Sequence, residues 1–441
     1  MCISLRQALL LAACPGFASI VPATEQPAAG GFVEDSRWQG SLRNFYQNRD
    51  YPNAIEQQQR MRREWAQAIR NEFNSGYTPG RVGFGLDLQG YLGLKLDSTP
   101  AHAGSGALPP GAYGKHAADN FSRAGGAIRL KLEETVLRHG EMRPDTPIFA
   151  TADDRVIPET AIGTLLTSER FNNWTLHAGR FTAQGLSTSS SHRNELLSYY
   201  QSPAAYGVFK RGQYLDLFGA IYKPTPAWEL ALYGAEYQET WRQYYARANY
   251  GHRLGEQDSV LVKLNLYRTD DVGAAYQGDI ENIAWSVLAA WLHGAHTLVF
   301  AHQRIDSNVP FDYLGGASIK LANAFTYSDF NGPNEHSSRV SYRYDLAGWG
   351  VPGLKFTASY VKGDRIDGSH MPINSGYRWY GYGADGKHWE RDLQFDYVLQ
   401  SGPAKGTSLM LRHVVHRSNG GTSELDNDEL RLLLDYPFDI L

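Results

Sequence analysis

Asn427-Asp428-Glu429-Leu430-Arg431-Leu432-Leu433-Leu434-Asp435-Tyr436-Pro437-Phe438-Asp439-Ile440-Leu441 is the stretch that decides the fold. Leu430, Leu432, Leu434, Tyr436, Phe438 and Ile440 share one parity, and Glu429, Arg431, Asp435 and Asp439 share the other. Alternation with period 2 makes a strand with one apolar and one charged face. A soluble sandwich strand has this pattern over a few residues. Here it runs on to the last residue, and the apolar face ends in aromatics, as at a membrane interface. An open sheet edge cannot survive in hydrocarbon, so such a strand must pair back with the first strand of a closed barrel.

Working outward, Val82 to Asp97 repeats the pattern, with Val82, Phe84, Leu86, Leu88, Leu92, Leu94 and Leu96 on one face. It is long enough for a tilted crossing, which takes about 9–11 residues. Further strands are read at Phe32 to Gln47, Trp65 to Asn74, Ala127 to Leu137, His139 to Phe149, Arg339 to Leu346 and Trp389 to Gln400. Short turns alternate with long loops, the longest from Asp306 to Asn334. The total is about 18 strands, an even number that leaves both chain ends on one side. The predicted fold is therefore an all-β transmembrane antiparallel β-barrel spanning residues 32–441, after a short linker at 24–31.

Composition agrees. Among 441 residues there are 45 Gly and 27 Tyr, as turns and aromatic girdles require. A mean hydropathy of -0.43 looks soluble, but only alternate barrel residues touch lipid. No run approaches the roughly 20 apolar residues of a membrane helix. A net charge of -4 gives no electrostatic footprint for nucleic acid. Residues 1–23 read as a signal peptide, with Arg6 in its basic region, Ala8 to Ala13 as its apolar core and Val21-Pro22-Ala23 as its cleavage site. Leu11-Ala12-Ala13-Cys14 offers a second reading, a lipobox that would acylate Cys14. Both cysteines, Cys2 and Cys14, lie in this segment, so cleavage after Ala23 leaves a mature chain without thiols.

Ten stretches together resemble the OprD-type outer-membrane porin family. They are Phe32-Val33-Glu34-Asp35-Ser36, Leu42-Arg43-Asn44, Asn48-Arg49-Asp50-Tyr51, Gly83-Phe84-Gly85-Leu86-Asp87, Leu92-Gly93-Leu94-Lys95-Leu96-Asp97, Pro158-Glu159-Thr160, Ala178-Gly179-Arg180-Phe181, Tyr327-Ser328-Asp329-Phe330-Asn331, Trp389-Glu390-Arg391-Asp392 and Asp435-Tyr436-Pro437. The resemblance implies a monomeric 18-stranded barrel whose third external loop folds inward. It also implies uptake of small, mostly carboxylate-bearing molecules past a ladder of basic side chains. By position, the loop with Asp154 and Arg155 matches the constricting loop, and the loop with Ser318 and Asp329 matches a second narrowing loop. Ala317 departs from the family, where an acidic residue often precedes the serine.

Parity yields a ladder independently. If apolar faces point to lipid, Arg431 and Arg412 point inward on the last two strands, with His416 on the face of Arg412. Closure adds Arg43 on the first strand, Arg70 on the second, Lys95 on the third, and Arg129 and Lys131 on the fourth. Arg43 and Arg431 are expected about ten residues from the periplasmic end, and Arg412 and Arg70 about four or five, so the rungs are staggered. Guanidinium forks bind carboxylates bidentately. The same arginines also have acidic neighbours on that arc, including Glu72, Asp87, Glu429 and Asp435.

No catalytic site, cofactor or metal is expected. Asp153, Asp154 and Glu159 have no His or Cys at ligand spacing. The serines from 187 to 191 before His192 lack a G-x-S-x-G context. A selective diffusion channel is the leading function. A general porin and a barrel hydrolase using Ser191 or His192 are the alternatives. Expected partners are outer-membrane lipid and lipopolysaccharide, the barrel-assembly machinery through the last strand, and small anionic or zwitterionic solutes.

Overall fold

Alternating apolar and polar residues have to bury one parity and expose the other, and the chain does so inside out. The computed structural model describes residues 30–55, 58–111, 116–192, 196–201 and 210–441. The expected signal peptide and both cysteines lie outside these. Eighteen antiparallel strands form one sheet. They are β1 (Arg37–Asp50), β2 (Met61–Asn74), β3 (Gly83–Asp97), β4 (Asn120–Leu132), β5 (Thr135–Met142), β6 (Thr160–Ser168), β7 (Trp174–Gly185), β8 (Leu215–Thr225) and β9 (Trp228–Tyr237), followed by β10 (Trp241–Arg253), β11 (Asp258–Asp271), β12 (Glu281–His293), β13 (His296–Asp306), β14 (His336–Asp345), β15 (Leu354–Ile366), β16 (Gly386–Val398), β17 (Ser408–Ser418) and β18 (Asn427–Asp439). Each pairs with its neighbour in sequence, and β18 pairs with β1 from Gln39↔Asp439 to Asp50↔Asp428, so the barrel is closed.

The outer face is apolar and exposed: Phe218 and Leu232 are each 68% accessible, and Leu42, Phe84, Leu264 and Phe300 join them. The inner face buries Arg43, Gln47, Glu64, Arg412, Glu429 and Arg431. Each large apolar side chain left in water forgoes about 1.5–3 kcal/mol, so a continuous belt of them calls for lipid. Aromatic pairs mark the rim that carries the chain ends: Trp174 on Tyr222 at 4.4 Å, Trp228 on Tyr250 at 4.7 Å and Phe356 on Phe395 at 4.9 Å. These are interface girdles, which the sheet places beside the short turns.

Several expected boundaries move. The chain from Phe32 to Ser36 is a turn held by the Ser36 hydroxyl on the Phe32 carbonyl at 2.7 Å, so β1 starts at Arg37. The strands read as Ala127 to Leu137 and His139 to Phe149 are in fact β4 and β5, joined at residues 133–134 with Glu133 at φ 53°. Only Glu134 departs from the apolar parity of Ile128, Leu130 and Leu132, which resumes at Val136, and the turn lacks the Gly, Asn or Pro that would mark it. The rule of short turns against long loops is not strict: the connection at 419–426 is no longer than the short-side turns at 75–82 and 346–353. The connection at 238–240 is tight yet lies on the long-loop side.

The long loops do not leave the barrel empty. Ile148, Phe149, Tyr200, Phe311, Tyr313 and Tyr377 pack with Phe181, Tyr237 and Tyr267 of the wall into one buried apolar cluster. A smaller cluster joins Val156, Ile157 and Leu108 to Phe45 and Tyr91. Wall carboxylates fix the loops as well. Glu64 accepts from the backbone N–H groups of Gly104, Ala107 and Leu108, and Glu390 from those of Thr326, Tyr327 and Ser328. The polar strip of wall beside these clusters runs over β16, β17, β18 and β1.

Candidate functional site: a constriction held by arginines

The loop at 143–159 turns into the barrel because its acidic residue finds three cations there. Asp153 Oδ1 accepts from Arg43 Nη1 at 2.9 Å, and Oδ2 from Arg70 at 2.7 Å and Arg143 at 2.8 Å. Arg43 also donates to the Arg155 carbonyl at 2.6 Å, and its other edge forks onto Asp435 at 2.8 and 2.9 Å. The loop is thereby tied to β1, β2 and, through Arg43, β18. Burial alone would raise the Asp153 carboxyl, but Arg43, Arg70 and Arg143 outweigh it and hold it well below the usual carboxylate range.

Beyond this latch stands a second group of cations. Arg412 on β17 is the direct cross-strand partner of Arg431 on β18, and Arg431 is partnered on its other side by Gln47. Like charges placed opposite each other destabilise a sheet, so this pair works against the fold. Neighbours offset part of the cost. Arg431 donates to Glu429 at 2.8 Å and lies 3.6 Å from Asp154, while Arg412 donates to Gln394 at 2.6 Å and Thr326 at 3.1 Å. Arg49 pairs with Glu429 at 2.7 Å, and Arg155 reaches Gln47 at 3.1 Å. Asp154 stays 40% exposed, so it is the acid of this group that still faces water.

The loop at 307–335 closes from the other side. The Ala150 N–H donates to Ser318 Oγ at 2.8 Å, and Gly316 N–H donates to Glu159 at 2.8 Å, pinning the two loops together. Ser318 is therefore buried, and its hydroxyl serves this junction. Tyr313 donates to Asp329. Burial, reinforced by Glu424 and Asp154, pushes the Asp329 carboxyl up to about 7. The folded state thus holds a proton that the unfolded chain releases, and the stability this confers is lost as pH rises through about 7. Between pH 8 and pH 6 the constriction sheds one negative charge. Anion-over-cation selectivity, measured as a reversal potential, is expected to rise about twofold over that interval. Asp329→Asn should flatten the step, and an unchanged step in that variant would exclude Asp329.

The sequence-derived residues divide into three groups. Arg43, Arg70, Arg155, Arg412, Arg431 and Asp154 come together around the inward loop. Lys95 lies elsewhere, ion-paired to Asp119. Arg129 and Lys131 lie at the rim of the chain ends, where both face the Tyr77 ring and Arg129 pairs with Asp87 at 2.8 Å. The expected stagger is corrected: Arg412 and Arg431 are neighbours in register. Arg431 sits beside Gln47, four residues or about 13 Å further along β1 than Arg43. Arg49, Arg143 and Asp153 were missed as site residues. Arg49 has the inward parity of Arg43, which would have found it. Ser191 Oγ lies 3.2 Å from Ser189 Oγ, and His192 Nε2 lies 2.7 Å from Glu141, a contact with no serine in it.

A family profile described as outer membrane porin, OprD family, matches residues 30–440. Porin D of Pseudomonas aeruginosa is 43% identical over 428 residues, covering 95% of this chain and 94% of that protein. The crystal structure of OprD from the same organism superposes with a TM-score of 0.82 at 41% identity, over 95% of this chain and 99% of that one. OpdK of P. aeruginosa, solved with vanillate, gives a TM-score of 0.83 at 31% identity, over 93% of this chain and all (100%) of its own. A closed membrane barrel narrowed by its own loops, with porins for relatives, is a channel of the bacterial outer membrane rather than an enzyme. The chain belongs to the OprD family of outer-membrane porins.

Proposed function

We propose that the channel passes small carboxylate-bearing solutes selectively, and that Arg412 and Arg431 are the groups that select them. The observation that carries this is their direct cross-strand pairing on the inner wall. Two guanidinium groups held side by side cost stability, and although both are nearly buried their joint field favours an anion passing along the lumen beside them. Arg155 and Arg49 extend the positive field on the same side, and low-dielectric walls focus it. Asp154 opposes them and keeps binding weak enough for release, as conduction requires. Vanillate, seen with the relative OpdK, is itself a carboxylate. Ser318 is occupied between loops, so Asp154 and Asp329 supply the acidic side of the constriction. The chain acts as a monomer, exported by residues 1–23 and inserted by the barrel-assembly machinery through β18.

Uptake into proteoliposomes tests the reading. Arg431→Ala is expected to slow a small carboxylate about tenfold, a charge-assisted hydrogen bond weakened by solvent. A neutral solute of equal size should change less than about twofold, since only the charge term is removed. Raising salt should erode the difference. Equal slowing of both solutes would mean that the arginines only shape the wall, as they would in a general porin.

A further inference from the structure

We propose that His388, His416 and Glu424 form a binding site for a divalent transition-metal ion near the outer mouth of the barrel. His388 lies on β16 and His416 on β17, near their loop ends, and Glu424 lies on the loop at 419–426 that leads into β18. His388 Nδ1 and His416 Nε2 are 3.1 Å apart, and Glu424 Oε2 is 3.0 Å from each. These three atoms form a nearly equilateral triangle. Ligands at a common metal–nitrogen distance span about 3.0 Å across one face of an octahedron and slightly more in a tetrahedron. The fit is therefore that of two imidazoles and one carboxylate on one ion.

The outer partners of the two rings set their tautomers. His416 Nδ1 faces the Leu425 carbonyl at 3.1 Å, which can only accept, so the proton is on Nδ1 and Nε2 presents a lone pair. His388 Nε2 faces Glu335 Oε1 at 2.7 Å, so it carries a proton, and an ion at the triad would displace any second proton from Nδ1. Two ring nitrogens and a carboxylate oxygen point at one another, an arrangement that a metal ion or a second proton on His388 would hold. A carboxylate behind a ligating histidine is the usual support of a metal-bound imidazole. Glu335 and Glu424 together carry two negative charges, which a divalent ion neutralises. Imidazole donors favour Zn²⁺, Ni²⁺ or Cu²⁺ over Ca²⁺ or Mg²⁺. The site is buried, with Glu424 13% exposed at a crevice that Asn331, Tyr382 and Thr422 also line. An ion there would join β16, β17 and the loop at 419–426, and through Glu335 the loop at 307–335 that narrows the pore. The ligands come from positions 388, 416 and 424, a spacing that no sequence motif flags.

The test is calorimetric titration of ZnCl₂ into chelator-stripped, full-length protein in detergent, with zinc-edge anomalous diffraction to locate the ion. One tight site per chain is expected, with the anomalous peak between these residues. The chain has 14 histidines, so variants must separate this site from adventitious surface binding. His416→Gln should lower the affinity at least a hundredfold, and Glu335→Gln by about 10- to 100-fold. Heat-modifiable migration checks that each variant forms its barrel, and Glu424→Gln replaces His416→Gln if the latter does not. Absence of tight binding in the unmodified protein, or unchanged binding in all folded variants, would overturn the proposal and leave a proton as the charge that holds the triad.

Discussion

Deleting Tyr436 to Leu441 is expected to abolish barrel assembly. β18 closes the sheet against β1, and this deletion removes the pairs Gln39↔Asp439, Gly40↔Phe438, Ser41↔Pro437 and Leu42↔Tyr436. It also removes the bonds of the Trp38 backbone with Leu441 at 3.0 Å and Ile440 at 2.8 Å. The N–H and C=O groups of β1 would then face hydrocarbon, where each unsatisfied group costs several kcal/mol. No side-chain contact can offset a row of them. The ring of Phe438 also lies over Gly40, where an added Cβ would meet it at 2.3 Å. That packing is a smaller term than the ladder. Phe438→Ala keeps the backbone pairing and should therefore still assemble, in reduced yield. The readout is heat-modifiable migration of protein recovered from the outer-membrane fraction. A truncated chain that migrates as a folded barrel would overturn the argument.

The sequence revealed the barrel because a strand between lipid and water writes its two faces into alternate residues. The alternation of Leu430, Leu432 and Leu434 against Glu429, Arg431 and Asp435 is enough to set inside from outside. Register was harder to read, since it depends on turns. Val136 resumes the parity of Leu132 across Glu133-Glu134, which hides a hairpin with no Gly, Asn or Pro, so β4 and β5 were misplaced. Relative position across strands follows from register, which is why Arg412 and Arg431 were read as staggered when they are cross-strand partners. Loop interiors were the least legible. Asp153 and Asp154 are adjacent in sequence, yet the first is enclosed by three arginines while the second keeps contact with water. Nothing local distinguishes them, because the partners arrive from β1, β2 and the start of the same loop.

Excising the inward loop, by joining Met142 to Thr160 through a short Gly-Ser turn, is expected to raise single-channel conductance several-fold. A barrel of 18 strands is wide enough for an aqueous channel unless something fills it. Here the filler is held by Asp153 against Arg43, Arg70 and Arg143, and by Ile148, Phe149, Val156 and Ile157 in the two apolar clusters. Excision strips both clusters, so a milder variant is needed beside it. Asp153→Ala removes the counter-ion shared by three cations, of which Arg43 keeps Asp435 and Arg143 keeps Glu72. Breaking one partner from an enclosed ion pair costs about 3–5 kcal/mol, enough to let the loop swing away for part of the time. Its conductance should lie between those of the intact and excised channels and should fluctuate. Acid should not imitate it. The Asp153 carboxyl is held well below the usual range, so the latch contributes stability above the unfolded value near pH 4 and loses it only as pH falls through the depressed folded value. In Asp329→Asn, where the step near pH 7 is removed, conductance should therefore be flat from pH 8 to pH 4 in planar-bilayer recordings. If excision leaves conductance unchanged in a barrel that still migrates as folded, the narrowest cross-section is set elsewhere, and the loop at 307–335 with Asp329 is the next to remove.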